Sequence, residues 1–282
     1  MQGFNSQDLK NLYIPDPNSH KGQNGKLMII GGSKLFHAAS LWSLKVASRI
    51  VDMVFYSSVL ENNQIVQKAK EEFRDGIVVP RNKIANYINE ADCVLIGPGM
   101  PRKEGEEVGD DDTKVLTEDL LKNFPNKKWV IDGGSLQVVE PEIIPNRAVL
   151  TPHGKEFDML KLKIKNEKLK IKIQNLKLED QVQIFAKEYN CTVLLKGPAD
   201  IVSNGEKTVQ IQGGNAGMTK GGTGDVLAGL VAALYCKNEA FLTASASSFI
   251  NKKAGEKLFE KVGLYFNSSD LTDEIPKVMK NL

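Results

Sequence analysis

Asn215-Ala-Gly-Met-Thr-Lys-Gly-Gly-Thr-Gly-Asp225-Val-Leu-Ala-Gly229 sets flexible backbone against one carboxylate and runs straight into an apolar helical pattern. Gly221, Gly222 and Gly224 can turn unobstructed N–H groups toward a ligand and adopt positive φ. A helix starting near Asp225 adds its own unpaired N–H groups and the positive end of its dipole. Together these form an anion site, best suited to phosphate. Asp225 stands at its edge, where a carboxylate can take a proton from a substrate hydroxyl. A carboxylate beside a helix N-terminus is expected to stay ionised. No Gly-Lys-Ser/Thr closes the loop, so it is not a Walker A. With Asp225 as a helix N-cap and the glycines as a tight turn, the same residues would also make structural sense.

Upstream of this loop, short apolar runs alternate with helical patterns. Residues 27–30 read as a buried strand ending at Gly31-Gly32, and a helical pattern over 38–50 follows. Further strand-like runs at 53–56, 93–96, 129–131, 148–150 and 192–195 lie upstream of the loop. The last four stop at Gly97-Pro-Gly99, Asp132-Gly-Gly, Thr151-Pro-His-Gly and Lys196-Gly-Pro. Short, nearly continuous apolar runs closed by polar turns predict an α/β fold with a mostly parallel central sheet and helices on both faces. Ligands in such sheets bind at the carboxyl ends of the strands, so the turns converge on one edge. Residues 201–203 and 209–211 flank Asn204-Gly205, a hairpin signal, and helical patterns near 225–235, 239–258 and 270–280 finish the chain. There is no repeat and no linker, so residues 1–282 are expected to form a single domain.

The chain has 282 residues, 41% of them hydrophobic and 26% charged, with a net charge of +2. Nothing in that balance points to nucleic acid. Cys93, Cys191 and Cys236 are too far apart for a CxxC motif, and buried free thiols fit a reducing cytoplasm. The N-terminus carries no leader pattern. No run of 18 apolar residues predicts a membrane span. Residues 161–177 hold seven lysines interleaved with Leu and Ile, fitting a strand and a helix face equally. Without aromatic or arginine partners they predict a solvated surface insertion and no nucleic-acid site.

Several turns carry chemistry. Gly31-Gly32-Ser33 leads to Ala38-Ala39, small residues that would let a flat ring approach, although the GxGxxG spacing is missing. Thr151 is placed to cap a helix whose first turn holds Pro152, with His153 aimed at the strand ends. Lys196 with Gly197 at a strand end suits a nucleotide phosphate or ribose.

The ordered set from His20-Lys21-Gly22 through Gly31-Gly32-Ser33, Gly97-Pro98-Gly99, Thr151-Pro152-His153, Lys196-Gly197 and Gly221-Gly222-Thr223-Gly224-Asp225 resembles the NAD(P)H-hydrate dehydratase family of the ribokinase-like superfold. The resemblance implies dehydration of the S epimer of hydrated NADH or NADPH. It implies ADP or ATP as co-substrate, with release of phosphate and AMP or ADP, and Mg2+ as cofactor. It further implies a stand-alone dehydratase without a fused epimerase domain, a homo-oligomer (often a tetramer), and a cytoplasmic metabolite-repair role. It places Ala38, Gly99, His153 and Asp225 against the hydrated nicotinamide nucleotide, with Asp225 catalytic. Lys196, Gly197, Pro198, Ala199, Asp200 and Gly224 would contact the adenine nucleotide. Asn215, Gly217, Met218, Gly221, Gly222, Thr223 and Gly224 would cradle its phosphates. No protein metal ligand is expected. His37 stands where the family has glycine, which could narrow the nicotinamide pocket, and Gly134 replaces a second aspartate. The rival readings are a kinase of the same superfold acting on a thiazole or pyrimidine alcohol, and a non-catalytic nucleotide-binding protein of that fold.

Overall fold

The computed structural model describes residues 2–102 and 106–282. In chain order the elements are β1 (Gln2–Gly3), β2 (Lys26–Ile30), α1 (His37–Ala47), β3 (Met53–Ser57), α2 (Leu60–Ala69), β4 (Ile77–Val78), α3 (Ile84–Glu90), β5 (Cys93–Ile96), α4 (Thr113–Asn123), β6 (Lys128–Ile131) and α5 (Gly133–Val138). There follow β7 (Val149–Leu150), α6 (Gly154–Leu162), α7 (Glu167–Gln174), α8 (Leu178–Glu188), β8 (Thr192–Leu195), β9 (Asp200–Ser203), β10 (Thr208–Ile211), α9 (Thr223–Tyr235), α10 (Ala240–Val262) and α11 (Ser268–Met279).

The strands form one sheet in the order β1-β10-β9-β8-β7-β6-β5-β2-β3-β4. Among the described residues only β9 is antiparallel to its neighbours, β8 and β10; its pairing with β10 is the hairpin expected around Asn204-Gly205. Each central strand buries both faces, and alternate residues enter different cores. Met28, Ile30, Val94, Ile96, Trp129 and Ile131 join one core with side chains from α3, α4, α5, α6 and α8. Leu27, Ile29, Cys93, Leu95 and Val130 join the other, with α1, α2 and α9. This alternation explains why the strands read as unbroken apolar runs.

Helix α9 is buried on nearly every side, from Val226 to Tyr235. It crosses α1 closely at Gly229, where an added Cβ would lie 2.6 Å from the Ser43 Cα. Ser43 Oγ also donates to the Asp225 carbonyl at 2.7 Å, so the start of α9 is fastened to α1 by both packing and polarity. Within the lysine-rich segment the helix wins over the strand. Leu169 and Ile173, four apart, are buried in α7, while Ile171 between them is exposed. The lysines at 168 and 172 face solvent, as expected of a surface insertion.

Candidate functional site

The carboxyl ends of the parallel strands meet along one edge. The strand order reverses between β5 and β2, the place where such sheets open a crevice. There Gly32 N–H donates to the Pro98 carbonyl at 2.7 Å, joining the two turns. Gly97 has φ +116°, and a Cβ on it would lie 1.8 Å from the Asp132 carbonyl oxygen. Only glycine lets the ends of β5 and β6 approach that closely. Gly99 lies against the start of α1, where its Cβ would meet Ala39 Cβ and Phe36 O, each at 2.8 Å. Ala38 is exposed on the same turn of α1. His37, the first residue of that helix, is exposed and is not among the closest neighbours of Gly99. A Cβ on Gly134 would come within 2.5 Å of the Met100 carbonyl oxygen, so this backbone has no room for a second aspartate.

A charged cluster continues the edge. Asp132, 3% exposed, follows β6 and accepts from Thr151 Oγ1 at 2.7 Å and from Lys196 Nζ at 3.0 Å. Thr151 therefore does not cap α6. His153 is the cap: its Nδ1 accepts from Glu156 N–H at 3.3 Å, and its own N–H donates to Glu156 Oε2 at 2.9 Å. This capping box leaves Pro152 outside the helix and the imidazole half exposed. Lys196 reaches from β8 to α9, where a Cβ on Gly224 would lie 3.5 Å from its Nζ. Burial pulls the Lys196 ammonium down, but Asp132 and then Glu156 outweigh it, and Asp225 adds to them, so its pKa is raised.

Asp225 is the third residue of α9, whose N-cap is Gly222 at φ +92°. It is therefore not a cap. Its expected charge state is also corrected: burial, then the like charge of Asp132, pushes its carboxyl up to about 7 against the pull of Lys196. Burial of the carboxyl, with the Asp132 carboxylate from the end of β6 second, outweighs the helix dipole here. Gly222 itself leaves no room, since a Cβ there would lie 2.2 Å from the Trp42 ring. Gly222→Ala is expected to cost about 1–3 kcal/mol from its left-handed backbone alone. A urea midpoint equal to that of the unaltered protein would contradict this.

Beside Asp225 opens a cavity of about 620 Å3, ample for a nucleotide. Of the expected nucleotide contacts, Lys196, Gly197, Pro198, Asp200, Asn215, Met218, Thr223 and Gly224 line it. Ala199, Gly217, Gly221 and Gly222 do not. Gly217 packs against the Phe266 ring and Gly222 against Trp42. The expected nicotinamide-side residues Ala38, Gly99, His153 and Asp225 do not line it: Gly99 and His153 follow β5 and β7 at the strand ends, Ala38 lies in the first turn of α1, and Asp225 directly follows the lining residue Gly224.

Sequence reading missed Gly213, Gly214, Leu227, Asn251 and Lys252 among the lining residues. Gly213-Gly214 after a strand was a legible turn signal, whereas Asn251-Lys252 sits mid-helix and carried none. Lys252 is 6% exposed and pairs with Asp200 Oδ1 at 3.3 Å. Its Nζ also donates to the carbonyls of Gly197, Pro198 and Gly213 at 3.1–3.3 Å. Asp200 takes further bonds from Gly197 N–H at 2.9 Å and Ser248 Oγ at 2.7 Å. Its carboxylate thus holds the cavity wall. The His20-Lys21-Gly22 segment belongs to the opposite edge, where Asp52 accepts from the N–H groups of Gly22 and Asn24 at 2.7 and 3.0 Å.

Among the described residues no three or more His, Cys, Asp or Glu side chains are grouped to hold a metal ion. No helix among the described residues is long and apolar enough to cross a membrane.

A family model described as NAD(P)H-hydrate dehydratase matches residues 27–277. The bifunctional NAD(P)H-hydrate repair enzyme of Methanocaldococcus jannaschii is 35% identical over 283 residues, covering 97% of this chain and 52% of that protein. The ADP-dependent (S)-NAD(P)H-hydrate dehydratase of Nitrosopumilus maritimus is 34% identical over 296 residues, covering 96% of this chain and 95% of that one. The chain thus spans about half the length of the first relative and nearly all of the second. Among solved structures, the ADP/ATP-dependent NAD(P)H-hydrate dehydratase from Bacillus subtilis, co-crystallised with ATP/Mg2+, superimposes with a TM-score of 0.80 at 19% identity, covering 99% of this chain and 98% of that one. A ribokinase-like superfamily protein from Enterococcus faecalis reaches 0.84 at 20%, covering 99% and 95%. At those identities the two structures establish the ribokinase-like fold.

Proposed function

The chain belongs to the NAD(P)H-hydrate dehydratase family, and from that membership we propose that it dehydrates the S epimer of hydrated NADH or NADPH at the expense of an adenine nucleotide. The observation that supports the reading is Asp225: a carboxyl directly after Gly224, which lines the cavity, and near enough to Asp132 after β6 and Lys196 after β8 to feel both charges. We assign residues 1–282 to one domain, in line with a single sheet that takes in strands from Gln2 to Ile211.

In this reading the adenine nucleotide occupies the cavity with its phosphates toward the Thr223 and Gly224 N–H groups, and the hydrated nicotinamide lies near Ala38, Gly99 and His153. Asp225 takes the proton of the ring hydroxyl as that oxygen bonds to the terminal phosphorus. The bond from phosphorus to the bridging oxygen breaks, releasing AMP from ADP or ADP from ATP. The helix N-terminus and Lys196 meet the charge spread over the transferring oxygens. Mg2+ on the phosphates would neutralise further charge there. The ring-nitrogen lone pair then expels phosphate with the C–O bonding electrons, and loss of a ring proton restores the dihydronicotinamide. Cytoplasmic placement and a homo-oligomeric assembly belong to the same proposal. The three buried free cysteines accord with a reducing compartment.

Incubating the protein with hydrated NADH, Mg2+ and ADP, and in parallel ATP, tests the reading. Recovery of dihydronicotinamide absorbance with equimolar phosphate is the expected result. A stable phosphorylated product would instead mark a kinase.

The raised Asp225 carboxyl sets the pH dependence. The base form predominates only above a pKa of about 7, so kcat/KM is expected to rise about tenfold per pH unit below that value and level off above it. The stability sign is opposite. The folded protein holds this proton to higher pH than the unfolded chain does, so stability contributed by this group falls as pH rises from about 4 to about 7. A kcat/KM profile flat between pH 5 and 8 would contradict the assignment of Asp225 as base.

A further inference from the structure

The ends of four neighbouring strands, β5 to β8, meet at Asp132. It directly follows β6, and its N–H donates to the Ile96 carbonyl of β5 at 3.0 Å. Thr151, directly after β7 and fully buried, donates from Oγ1 to Asp132 Oδ1 at 2.7 Å. Lys196, directly after β8, donates from Nζ to the same oxygen at 3.0 Å. Asp132 does not line the cavity, whereas Lys196 does. The carboxylate thus reaches the cavity through the lysine. Around Asp225 stand the charges of Asp132, Lys196 and, from α6, Glu156, while Ser43 of α1 bonds its backbone carbonyl. Glu156 is turned to the backbone N–H of His153. Asp132 and Asp225 therefore compete for one ammonium, and among the described residues Lys196 makes its ion pair with Asp132.

Resting on the phosphoryl-transfer reading above, we infer that Asp132 is a positioning residue: it holds the Lys196 ammonium at the first turn of α9, where the terminal phosphate is expected, and withholds it from the Asp225 carboxylate. A lysine on its flexible stem must otherwise be fixed by the ligand, at a cost in rotamer entropy. An ammonium that settled on Asp225 would favour its charged form and weaken it as a proton acceptor. Held by Asp132, Lys196 meets the charge of the transferring group, and Asp225 stays free to take the hydroxyl proton. Thr151 bonds the same oxygen as the lysine, which ties Lys196 to the buried end of β7.

The test compares the parent, Asp132→Asn and Thr151→Val. It measures kcat and KM for hydrated NADH across pH 5 to 9 with Mg2+ and saturating ADP. It also follows the Asp225 side-chain carboxyl by carbon NMR titration of the ligand-free protein, assigned with Asp225→Asn. Asparagine keeps an oxygen for Thr151 and Lys196 but drops the charge. Lys196 should then turn to Asp225, and kcat should fall about 10- to 100-fold with KM for the hydrate within about threefold. Loss of the like charge and approach of the ammonium act in the same direction. Both the acid limb and the carboxyl titration should therefore move to lower pH by about one unit or more. Thr151→Val keeps the charge, so kcat should fall about two- to tenfold with the limb in place. Lost activity in Asp132→Asn with both titrations unmoved is what a merely structural role gives, and it would overturn the positioning role. An unchanged kcat in that variant would overturn it as well. A parent protein that turns over no hydrate would instead overturn the dehydratase reading beneath it, and the carboxyl titration would still show whether Asp132 keeps Lys196 from Asp225.

Discussion

Asp225→Asn is expected to slow turnover of hydrated NADH by about 10²–10⁴-fold, the usual contribution of a positioned general base, while ADP binds with nearly unchanged affinity. The amide keeps the shape and place of the carboxylate at the third position of α9, so the Ser43 bond to the residue-225 carbonyl and the N–H cradle survive. What disappears is the ability to accept a proton. The acid limb with a pKa of about 7 should vanish with it. Removing a buried like-charge partner of Asp132 should also raise the melting temperature at pH 8 relative to the parent, because the parent keeps a costly ionised carboxylate there. This combination of a lost rate, a retained nucleotide and a gain in alkaline stability separates a catalytic role from a purely structural one. Near-parent turnover in the asparagine variant would remove Asp225 from the chemistry.

Lys252→Met carries the largest expected effect on stability. It strips the counter-ion from Asp200, 5% exposed, and the donor from three carbonyls that form two walls of the cavity. Breaking a buried pair on one side typically costs about 3–5 kcal/mol. For a chain of this size that corresponds to a fall in Tm of roughly 6–15 °C. Adding Asp200→Asn should restore part of the loss, since the stranded charge goes with it. Nucleotide affinity should fall in the single variant, because Gly197 and Gly213 are no longer held to one lysine. Thermal unfolding of the two variants by circular dichroism checks the order. A single variant as stable as the parent would mean that the ion pair does not hold the wall.

The parallel strands were legible because each, buried on both faces, is an unbroken apolar run, as at Leu27, Met28, Ile29 and Ile30. Their turns were legible because close approach there demands glycine, as at Gly97. The edge strands Gln2–Gly3 and Ile77–Val78 carried no such signal. Two residues cannot show a period, and β4 pairs only with β3. In the site, the loop through Asp225 announced itself by its spacing. The capping role passed from Thr151 to His153 because Asp132 claims the threonine hydroxyl, a partner 19 residues away. The charge state of Asp225 is set first by its burial in the fold and then by that same Asp132. Asn251 and Lys252 lay hidden inside a 23-residue helix with no distinguishing pattern. Sequence reading found the residues whose conformation is special locally and missed those that matter only through a distant neighbour.

The central claim is that Asp225 stands where an adenine nucleotide in the cavity meets a second nucleotide at the strand-end turns. A crystal structure with ADP and Mg2+ bound tests it most directly. The expected result is a nucleotide in this cavity with its terminal phosphate at the Thr223 and Gly224 N–H groups, facing the Asp225 carboxyl. A diphosphate pointing away from Asp225, toward Gly213 and solvent, would contradict it.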